Sequence, residues 1–189
     1  MGEPIAAPRN APLEMKLRIM QRNWSYPEFK EMLYKEAKEG RDEKYSNIYK
    51  RLYCYMKALE LHSGGLSYSM IRKVLRNEVG TTPSETLLSY WLRGMHSPLR
   101  SLSVFNVHAV ELWWLIGLAV TDGNTRRNGN NTYTISIYNT NRELLIKARA
   151  ICRRLGLWGN LYTARSGFRN SLYMVLVISS ALPVSYTHL

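Results

Sequence analysis

Apolar residues recur at helical spacing through much of residues 25–100, which predicts that this part of the chain is a series of amphipathic helices. Ser25 and Glu28 form a capping-box pattern at the start of the first predicted helix. That helix is expected to end at Glu39, because Gly40 follows it and glycine commonly ends helices. The pattern therefore favours a helical first half.

A longer helix is predicted over residues 44–61, where apolar residues recur on one face. Its tyrosines could stack on nucleic-acid bases, but packing in a core or groove is the stronger interpretation. Residues 1–24 contain proline and charges of both signs, so we expect a flexible arm ahead of the helices. The apolar face consists of Ile48, Leu52, Tyr55, Met56 and Leu59, and the tyrosines are Tyr45, Tyr49 and Tyr53.

Two short helices separated by a turn are predicted next, within GLSYSMIRKVLRNEVGTTPSETLLSYWLRG. The first covers residues 67–77, and the second begins at Thr82, with Pro83 in its first turn and Glu85 completing a capping box. This stretch resembles helix–turn–helix DNA-binding modules; an ordinary helical hairpin with a solvated charged face is the alternative. The expected buried residues are Met70, Ile71, Val74, Leu75, Leu87, Leu88, Trp91 and Leu92.

That resemblance implies that the second helix of the pair enters the major groove of DNA. Its polar and basic side chains would contact the edges of the DNA bases or the phosphates. Basic residues on the preceding helix would bind the DNA backbone. The candidates are Ser84, Thr86, Ser89, Tyr90 and Arg93 on the second helix, and Arg72, Lys73 and Arg76 on the first. Residues 25–100 are therefore predicted to form a helix-turn-helix-like DNA-binding region.

The hydropathy pattern changes after a predicted linker at residues 101–109. An apolar run over residues 110–122 predicts a core helix, and a polar hairpin connection with Gly129 at its tip is expected from Asn124 onward. Alternation then predicts a half-buried strand with a hydroxyl-rich outer face. The remaining predicted elements are this strand over 132–138, a helix over 141–155, and a hairpin of 161–165 with 171–179 about Ser166 and Gly167.

Asp122 is the most informative residue, because it is a single carboxylate at the end of an apolar helix, within LIGLAVTDG. On spacing alone it could belong to a turn that ends the helix at Gly123. The nonapeptide resembles the LAGLIDADG motif of homing endonucleases at its opening leucine and at Gly117, Leu118, Asp122 and Gly123. Residues 138–145, YNTNRELL, resemble the segment that opens the next helix in that family.

The resemblance implies an α+β fold in which an N-terminal all-α region precedes a LAGLIDADG repeat of order αββαββ over residues 110–182, with a saddle-shaped antiparallel sheet along the DNA. Asp122 would bind Mg²⁺ with help from the backbone carbonyl of Thr121, and Asn139 would lie near the metal-bound water. Gly117 and Thr121 would allow two motif helices to approach closely. The implied DNA-contacting residues are Arg126, Arg127, Thr134, Ser136, Tyr138, Arg165 and Arg169.

Phosphodiester hydrolysis needs charge neutralisation and an activated water, which hard divalent cations supply. Mg²⁺ prefers carboxylate, carbonyl and water oxygens, and one aspartate is too little to organise such a site. A second repeat is therefore expected from a homodimer partner or from sequence beyond residue 182. Thr140 departs from the lysine that some family members carry, and Val120 replaces the first acid of the motif at a packing position.

The net charge of +12 and the pI near 9.9 favour a polyanionic partner, most simply nucleic acid, although an anionic membrane surface also suits a basic chain. Residues 1–105 carry 17 basic and 11 acidic side chains, whereas residues 106–189 carry 9 and 3. The second half is basic because acids are scarce. This distribution leaves a surface with little to repel phosphate.

Cys54 and Cys152 lack zinc-ligand spacing and are expected to be buried thiols in a reducing cytosol, and His96 and His108 are isolated. The start lacks the apolar core of a signal peptide, and the apolar run after residue 109 is too short to span a bilayer. We therefore expect a cytoplasmic protein that is not in a membrane. Residues 183–189 resemble a translated sequencing adaptor, which implies a truncated C-terminus; a natural tail is the alternative.

These features favour a LAGLIDADG-type homing endonuclease, or a fragment of one, that makes Mg²⁺-dependent double-strand cuts in DNA at a long recognition site and serves intron or intein mobility. A non-cleaving DNA-binding transcriptional regulator on the same scaffold is the alternative, favoured by Thr140 and opposed by Asp122. A structural or membrane-surface protein is a third interpretation, which both DNA-binding resemblances oppose.

Overall fold

The computed structural model of the chain describes residues 5–39, 43–128, 132–165 and 172–180. The chain forms two compact units. One is a continuous helical unit, Pro12–Ser101, and the other combines Met1–Ala11 with Leu102–Leu189. The helical unit is therefore inserted between two parts of the mixed unit. Across the part of the chain that the structure describes, no helix is both long enough and apolar enough to span a membrane.

In the described residues of the helical unit, 12–39 and 43–101, there are five α-helices and a short 3-10 turn. The central helix α3 (Glu43–Ser63) packs against α2 (Pro27–Glu39), α4 (Tyr68–Val79) and α5 (Glu85–Leu92). Its tyrosines Tyr49 and Tyr53 are buried, which confirms core packing for these two, and Tyr45 lies outside the described side chains. Burial raises the pKa of the Cys54 thiol on this helix to about 12. The elements are α1 (Leu13–Trp24), α2 (Pro27–Glu39), α3 (Glu43–Ser63), α4 (Tyr68–Val79), α5 (Glu85–Leu92) and the turn Pro98–Ser101.

Helix α1 occupies part of the segment that was predicted to be a flexible arm. It buries Ile19, Met20 and Trp24, so this segment belongs to the core of the helical unit. Lys16 is also fully buried, and its Nζ donates to the carbonyls of Leu99 at 3.1 Å and Arg100 at 2.9 Å. A lysine and an asparagine on the inner face conceal the helical pattern of apolar residues in the sequence.

Two predicted helix caps differ from those observed. Ser25 ends α1, because its hydroxyl donates to the carbonyl of Arg22, and α2 begins at Pro27 without Ser25 as its cap. Ser84, not Thr82, caps α5 by accepting a hydrogen bond from the amide of Leu87. A serine or threonine near a helix start satisfies an end amide only where the backbone places it at the N-cap.

The α4–α5 pair matches its predicted interior in part. Ile71, Leu75, Leu88 and Trp91 are buried as expected. Val74, Leu87 and Leu92 are half-buried, whereas Met70 is exposed. Gly80 ends α4 in the left-handed conformation, with a φ of 71° that favours glycine.

Where the structure describes the mixed unit, it has a four-stranded antiparallel sheet and two α-helices, which confirms the mixed α+β class. The α6–β3–β4–α7–β5–β6 sequence is the predicted αββαββ order, and the strand order in the sheet is β3–β4–β6–β5. The polar segment from Asn124, predicted as a hairpin connection, forms strand β3 up to Asn128, and Gly129 lies outside the described residues. The elements are α6 (Val110–Asp122), β3 (Gly123–Asn128), β4 (Thr132–Asn139), α7 (Arg142–Arg154), β5 (Trp158–Arg165) and β6 (Leu172–Ser180).

Both helices pack on one face of this sheet. Ile135 and Ile137 of β4 are buried beneath them, and Leu145 and Cys152 of α7 are fully buried. Burial raises the pKa of the Cys152 thiol to about 12, so the predicted buried thiols are both confirmed. The opposite face, which carries Thr134, Ser136 and Tyr138, is here called the outer sheet face.

The N-terminal segment of the chain also belongs to the mixed unit. Strand β1 (Ala6–Ala7) pairs antiparallel with β2 (Val104–Phe105). Ala7 is fully buried, and Gly156, just after α7, approaches it so closely that an added Cβ would lie 3.4 Å from the carbonyl oxygen of Ala7. Gly156 also has a φ of 67°, so glycine suits this position for two reasons.

Candidate functional site

Asp122 lies at the point where α6 passes directly into β3. No loop separates them, since α6 ends at Asp122 and β3 begins at Gly123. A Cβ at Gly123 would overlap the carbonyl oxygen of Ala119, so only glycine permits so abrupt a change from helix to strand. The junction fixes the backbone of Asp122, whose side chain is half-buried.

A hydrogen bond from Asn139 orients the carboxylate. Asn139 Nδ2 donates to Asp122 Oδ2 at 2.6 Å, and Asn139 Oδ1 accepts from the amide of Asn141 at 2.8 Å. The second bond identifies the oxygen end of the amide, because a backbone N–H can only donate. Asn141 in turn caps α7 by accepting from the amide of Leu144. The end of β4 and the start of α7 thus hold Asp122 in place.

One side of α6 is open to solvent although it is largely apolar. Val110 is 78% exposed and Val120 is 67% exposed, and Trp113 is also exposed. Between them a Cβ on Gly117 would meet nothing within 4 Å. The Thr121 hydroxyl donates to the carbonyls of Gly117 and Leu118, both at 3.2 Å, and so folds back onto its own helix.

These residues follow helical spacing and form a continuous surface, here called the α6 open face, which consists of Val110, Trp113, Gly117, Val120 and Thr121. From the sequence, only Gly117 and Thr121 were predicted to be interface residues. The additional members could have been found, since a helix that is apolar all round is expected to be buried on every side. Such a face is suited to close contact with another helix.

The donor atoms at the end of α6 suit a hard cation. The Asp122 carboxylate is accompanied by the last carbonyls of the helix, which include that of Thr121 and lack partners within the helix. The negative end of the helix dipole also favours a cation there. Among the described residues no group of three or more His, Cys, Asp or Glu side chains could hold a metal ion, and Asp122 is the carboxylate at this end of α6. The residues therefore fit half of a divalent-metal site.

The outer sheet face presents polar rows across neighbouring strands. Arg126 pairs with Thr134, and Asn124 pairs with Ser136. Val177 of β6 pairs with both Ser136 and Asn160, which extends the second row to β5. Asn124 and Asn160 were not predicted to be DNA contacts, because neither lies in an alternating apolar pattern.

A third row on this face carries two exposed tyrosines. Tyr138 of β4 and Tyr162 of β5 both pair with Val175 of the intervening strand. Tyr162 is 53% exposed and was not identified from the sequence. Its position became evident only through the strand register.

The remaining predicted contacts of this unit are placed less completely. Arg126 is exposed on the outer sheet face. Arg127 pairs with Tyr133 and Arg165 with Leu172, at strand positions that alternate with those of the outer face, and their side chains lie outside the described ones. Arg169 lies outside the described residues altogether, as do Ser166 and Gly167 and the predicted tail at 183–189. Thr140 is exposed between β4 and α7.

In the helical unit, the predicted contact residues of α5 lie towards solvent. Thr86, Tyr90 and Arg93 are exposed, and Ser89 is half-buried. The Arg93 guanidinium stacks 5.7 Å from the centre of the Tyr90 ring. Such stacking holds both side chains outside the core.

The basic residues of α4 differ in their surroundings. Arg72 is half-buried and forms an ion pair of 3.7 Å with Glu85, so its charge is shared with α5. Lys73 and Arg76 are exposed. Ser84 is committed to capping α5 through the amide of Leu87. A DNA-binding role for this helix pair stays a prediction.

Residues 109–186 match the family model described as a LAGLIDADG-like domain. The match covers α6 to β6 and supports the resemblance of this segment to the LAGLIDADG family. It does not cover the helical unit Pro12–Ser101. Searches of curated proteins and of solved structures found no match to the chain.

Proposed function

We propose that the chain is a LAGLIDADG-type homing endonuclease that makes Mg²⁺-dependent double-strand cuts in DNA at a long recognition site. The observation that carries the proposal is the Asp122 carboxylate, held by Asn139 at 2.6 Å beside the α6 open face. A carboxylate that only ended the helix in a turn would need neither the hydrogen bond from Asn139 nor an exposed apolar helix face next to it. The family match over residues 109–186 supports the same interpretation, because this family is generally one of nucleases.

Asp122 and the Thr121 carbonyl would hold the divalent cation. When bound, Mg²⁺ neutralises charge on the scissile phosphate and lowers the pKa of a coordinated water. Asn139 keeps one carboxylate oxygen in a fixed direction, so the carboxylate presents its other oxygen without a rearrangement on metal binding. This assigns Asn139 to positioning the ligand through its Nδ2 group rather than to direct chemistry.

A second motif helix would complete the site by packing on the α6 open face. Gly117 lets the two backbones approach, and Val110 and Val120 would be removed from water by the contact. The second helix would come from another copy of the chain or from a second repeat, as is general in the family. Two Asp122-type carboxylates would then meet at adjoining helix ends.

DNA would lie along the outer sheet face. The hydroxyl groups of Thr134 and Ser136 and the guanidinium group of Arg126 can bind base edges and phosphates. Tyr138 and Tyr162 extend this surface, whereas Arg127 and Arg165 lie at strand positions that alternate with it. A DNA contact of Arg169 stays a prediction. The α4–α5 helices would add a second DNA contact, with Thr86, Ser89, Tyr90 and Arg93 towards the duplex.

A non-cleaving DNA-binding regulator is the second candidate. Thr140 favours it, because an exposed threonine stands where some family members carry a lysine that stabilises developing charge. Binding by the outer sheet face requires neither that lysine nor a metal ion. The two candidates therefore share a DNA surface and differ in cleavage.

The test is incubation of the chain with DNA carrying the flanks of the gene's own insertion site, in Mg²⁺ or in chelator. Asp122→Asn should abolish cleavage, because the neutral amide lacks the negative charge with which the carboxylate would hold the cation. Glu111→Gln is the matched control: it removes the other acid of α6, which forms an ion pair of 2.9 Å with Arg154, and should leave cleavage intact. Sequence-selective binding without cleavage, unaffected by Mg²⁺ and by Asp122→Asn, would establish the regulator instead.

A further inference from the structure

The exposed side of α7 carries a line of arginines. Arg142, Ile146, Arg149 and Arg153 recur at positions i, i+4, i+7 and i+11, which places them on one line along the helix. Arg142, Ile146 and Arg153 are exposed, and Arg149 is half-buried. At a rise of 1.5 Å per residue, the outer two arginines lie about 17 Å apart along the axis. These four residues are called the α7 arginine stripe.

The other bases of α7 differ from the stripe, because they are engaged within the mixed unit. Lys147 Nζ lies 5.0 Å from the centre of the Trp114 ring. Arg154 forms its ion pair with Glu111. Both partners belong to α6, so Lys147 and Arg154 stabilise the packing of α7 against α6. They lie roughly a third of a turn around α7 from the stripe.

The stripe arginines form no ion pair with a described carboxylate. Arg149 Nε donates to the carbonyl of Gly159 at 3.3 Å, which holds the side chain in place without neutralising its charge. Glu143, exposed in the first turn, is the nearest acid in sequence. Three arginines against one exposed acid leave this surface positive. Ile146 lies among them at 48% exposure.

We infer that the α7 arginine stripe binds the phosphate backbone of a second segment of duplex DNA. Guanidinium groups bind phosphate oxygens through paired hydrogen bonds, and a line of them matches a linear polyanion better than a compact anion. The helices cover one face of the sheet and the proposed DNA surface is the other, so one straight duplex segment cannot contact both. A protein already bound to DNA encounters further duplex at high local concentration, which favours DNA over other polyanions.

The test compares two double variants with the same change in charge on the same helix. Arg142→Gln with Arg153→Gln removes the exposed ends of the stripe, and Lys147→Gln with Arg154→Gln is the matched control. Binding of a labelled random-sequence duplex is followed by fluorescence anisotropy over a range of salt concentrations. Each lost phosphate contact lowers the slope of log affinity against log salt by about 0.9, so the stripe variant should lose about 2 and the control far less. When the salt concentration rises from about 50 to 200 mM, the fold-decrease in duplex affinity should therefore be about ten times larger for the wild type than for the stripe variant.

Ile146→Glu provides a second measure, since it adds a negative charge to the stripe without removing an arginine, and it should weaken duplex binding. An equal loss of slope in both double variants would overturn the inference, because it would show a general charge effect. The inference would also be overturned if the stripe variant lost binding to RNA or polyglutamate probes only and bound duplex DNA as the wild type does. Arg126→Gln on the outer sheet face separates the two proposals: if it lowers the slope and the stripe variant does not, only the stripe inference fails. The reverse result excludes a phosphate contact of Arg126 and retains the stripe.

Discussion

Gly117→Ala should stabilise the isolated chain and weaken its association with a second motif helix. Gly117 lies in the interior of α6, and a Cβ added there meets nothing within 4 Å. The substitution therefore has no steric cost within the chain. Alanine is better than glycine in an exposed helix interior by roughly 0.8–1.0 kcal/mol, because glycine loses more backbone entropy on folding. The unfolding equilibrium should shift roughly fivefold towards the folded state.

The same methyl group has the opposite effect where two helices meet. On the α6 open face it would occupy the space that Gly117 leaves for the partner backbone, and overpacking of this kind costs about 1–3 kcal/mol. In a symmetric pair both copies carry the methyl group. Each 1.4 kcal/mol raises the dissociation constant tenfold, so association should weaken by one to two orders of magnitude or more.

Two measurements test these opposed effects. Urea unfolding at low protein concentration should show a higher midpoint with an unchanged slope, and sedimentation equilibrium over a concentration series should show weaker self-association. Ala150→Gly on the exposed side of α7 is the control. It should lower the free energy of unfolding by about as much as Gly117→Ala raises it, without altering association. A lower unfolding midpoint for Gly117→Ala, or an unchanged association constant, would refute the reasoning from the open face.

Three further substitutions test the local structure. Gly123→Ala should destabilise the chain by about 1–3 kcal/mol or more in urea unfolding, because its Cβ overlaps the Ala119 carbonyl; a wild-type midpoint would contradict the direct passage from helix to strand. Lys16→Met should cost about 1–3 kcal/mol, because the Leu99 and Arg100 carbonyls lose a buried donor, and an unchanged midpoint would mean that they find another. Asn139→Asp in chelator should be less stable at neutral pH than Asn139→Ala, because two carboxylates then adjoin and repel each other. Equal unfolding midpoints for these two variants would argue against the contact.

Elements with strong local signals could be predicted closely from the sequence. Helix α7 was expected over residues 141–155 and covers Arg142–Arg154, with Asn141 as its cap. Its apolar spacing and its capping asparagine indicate the same start, and Gly156 follows its end. The end of α4 was predicted at Asn77 and lies two residues later, at Val79, where Gly80 follows it.

Elements that depend on tertiary contacts could not be predicted as well. Helix α1 was missed because Lys16 and Asn23 lie on its buried face, where the apolar pattern requires hydrophobic residues. Lys16 is accommodated there by two carbonyls that are more than eighty residues away in the chain. Ser25 lies between two helices, and its sequence context suits the start of the second as well as the end of the first. Only the three-dimensional backbone decides between these two roles.

The candidate site itself depends on strand register, which explains why Asp122 could be identified from the sequence and its environment could not. Gly123 pairs with Ile137, so the antiparallel register brings Asp122 to the end of β4, where Asn139 reaches it. A shift of one residue would turn Ile135 and Ile137 away from the helices and would remove Asn139 from the carboxylate. Strand β3 is polar throughout, so its own sequence cannot specify that register. The buried isoleucines of β4 and the glycine at the start of β3 specify it instead, and the same contacts that stabilise the sheet therefore assemble the site.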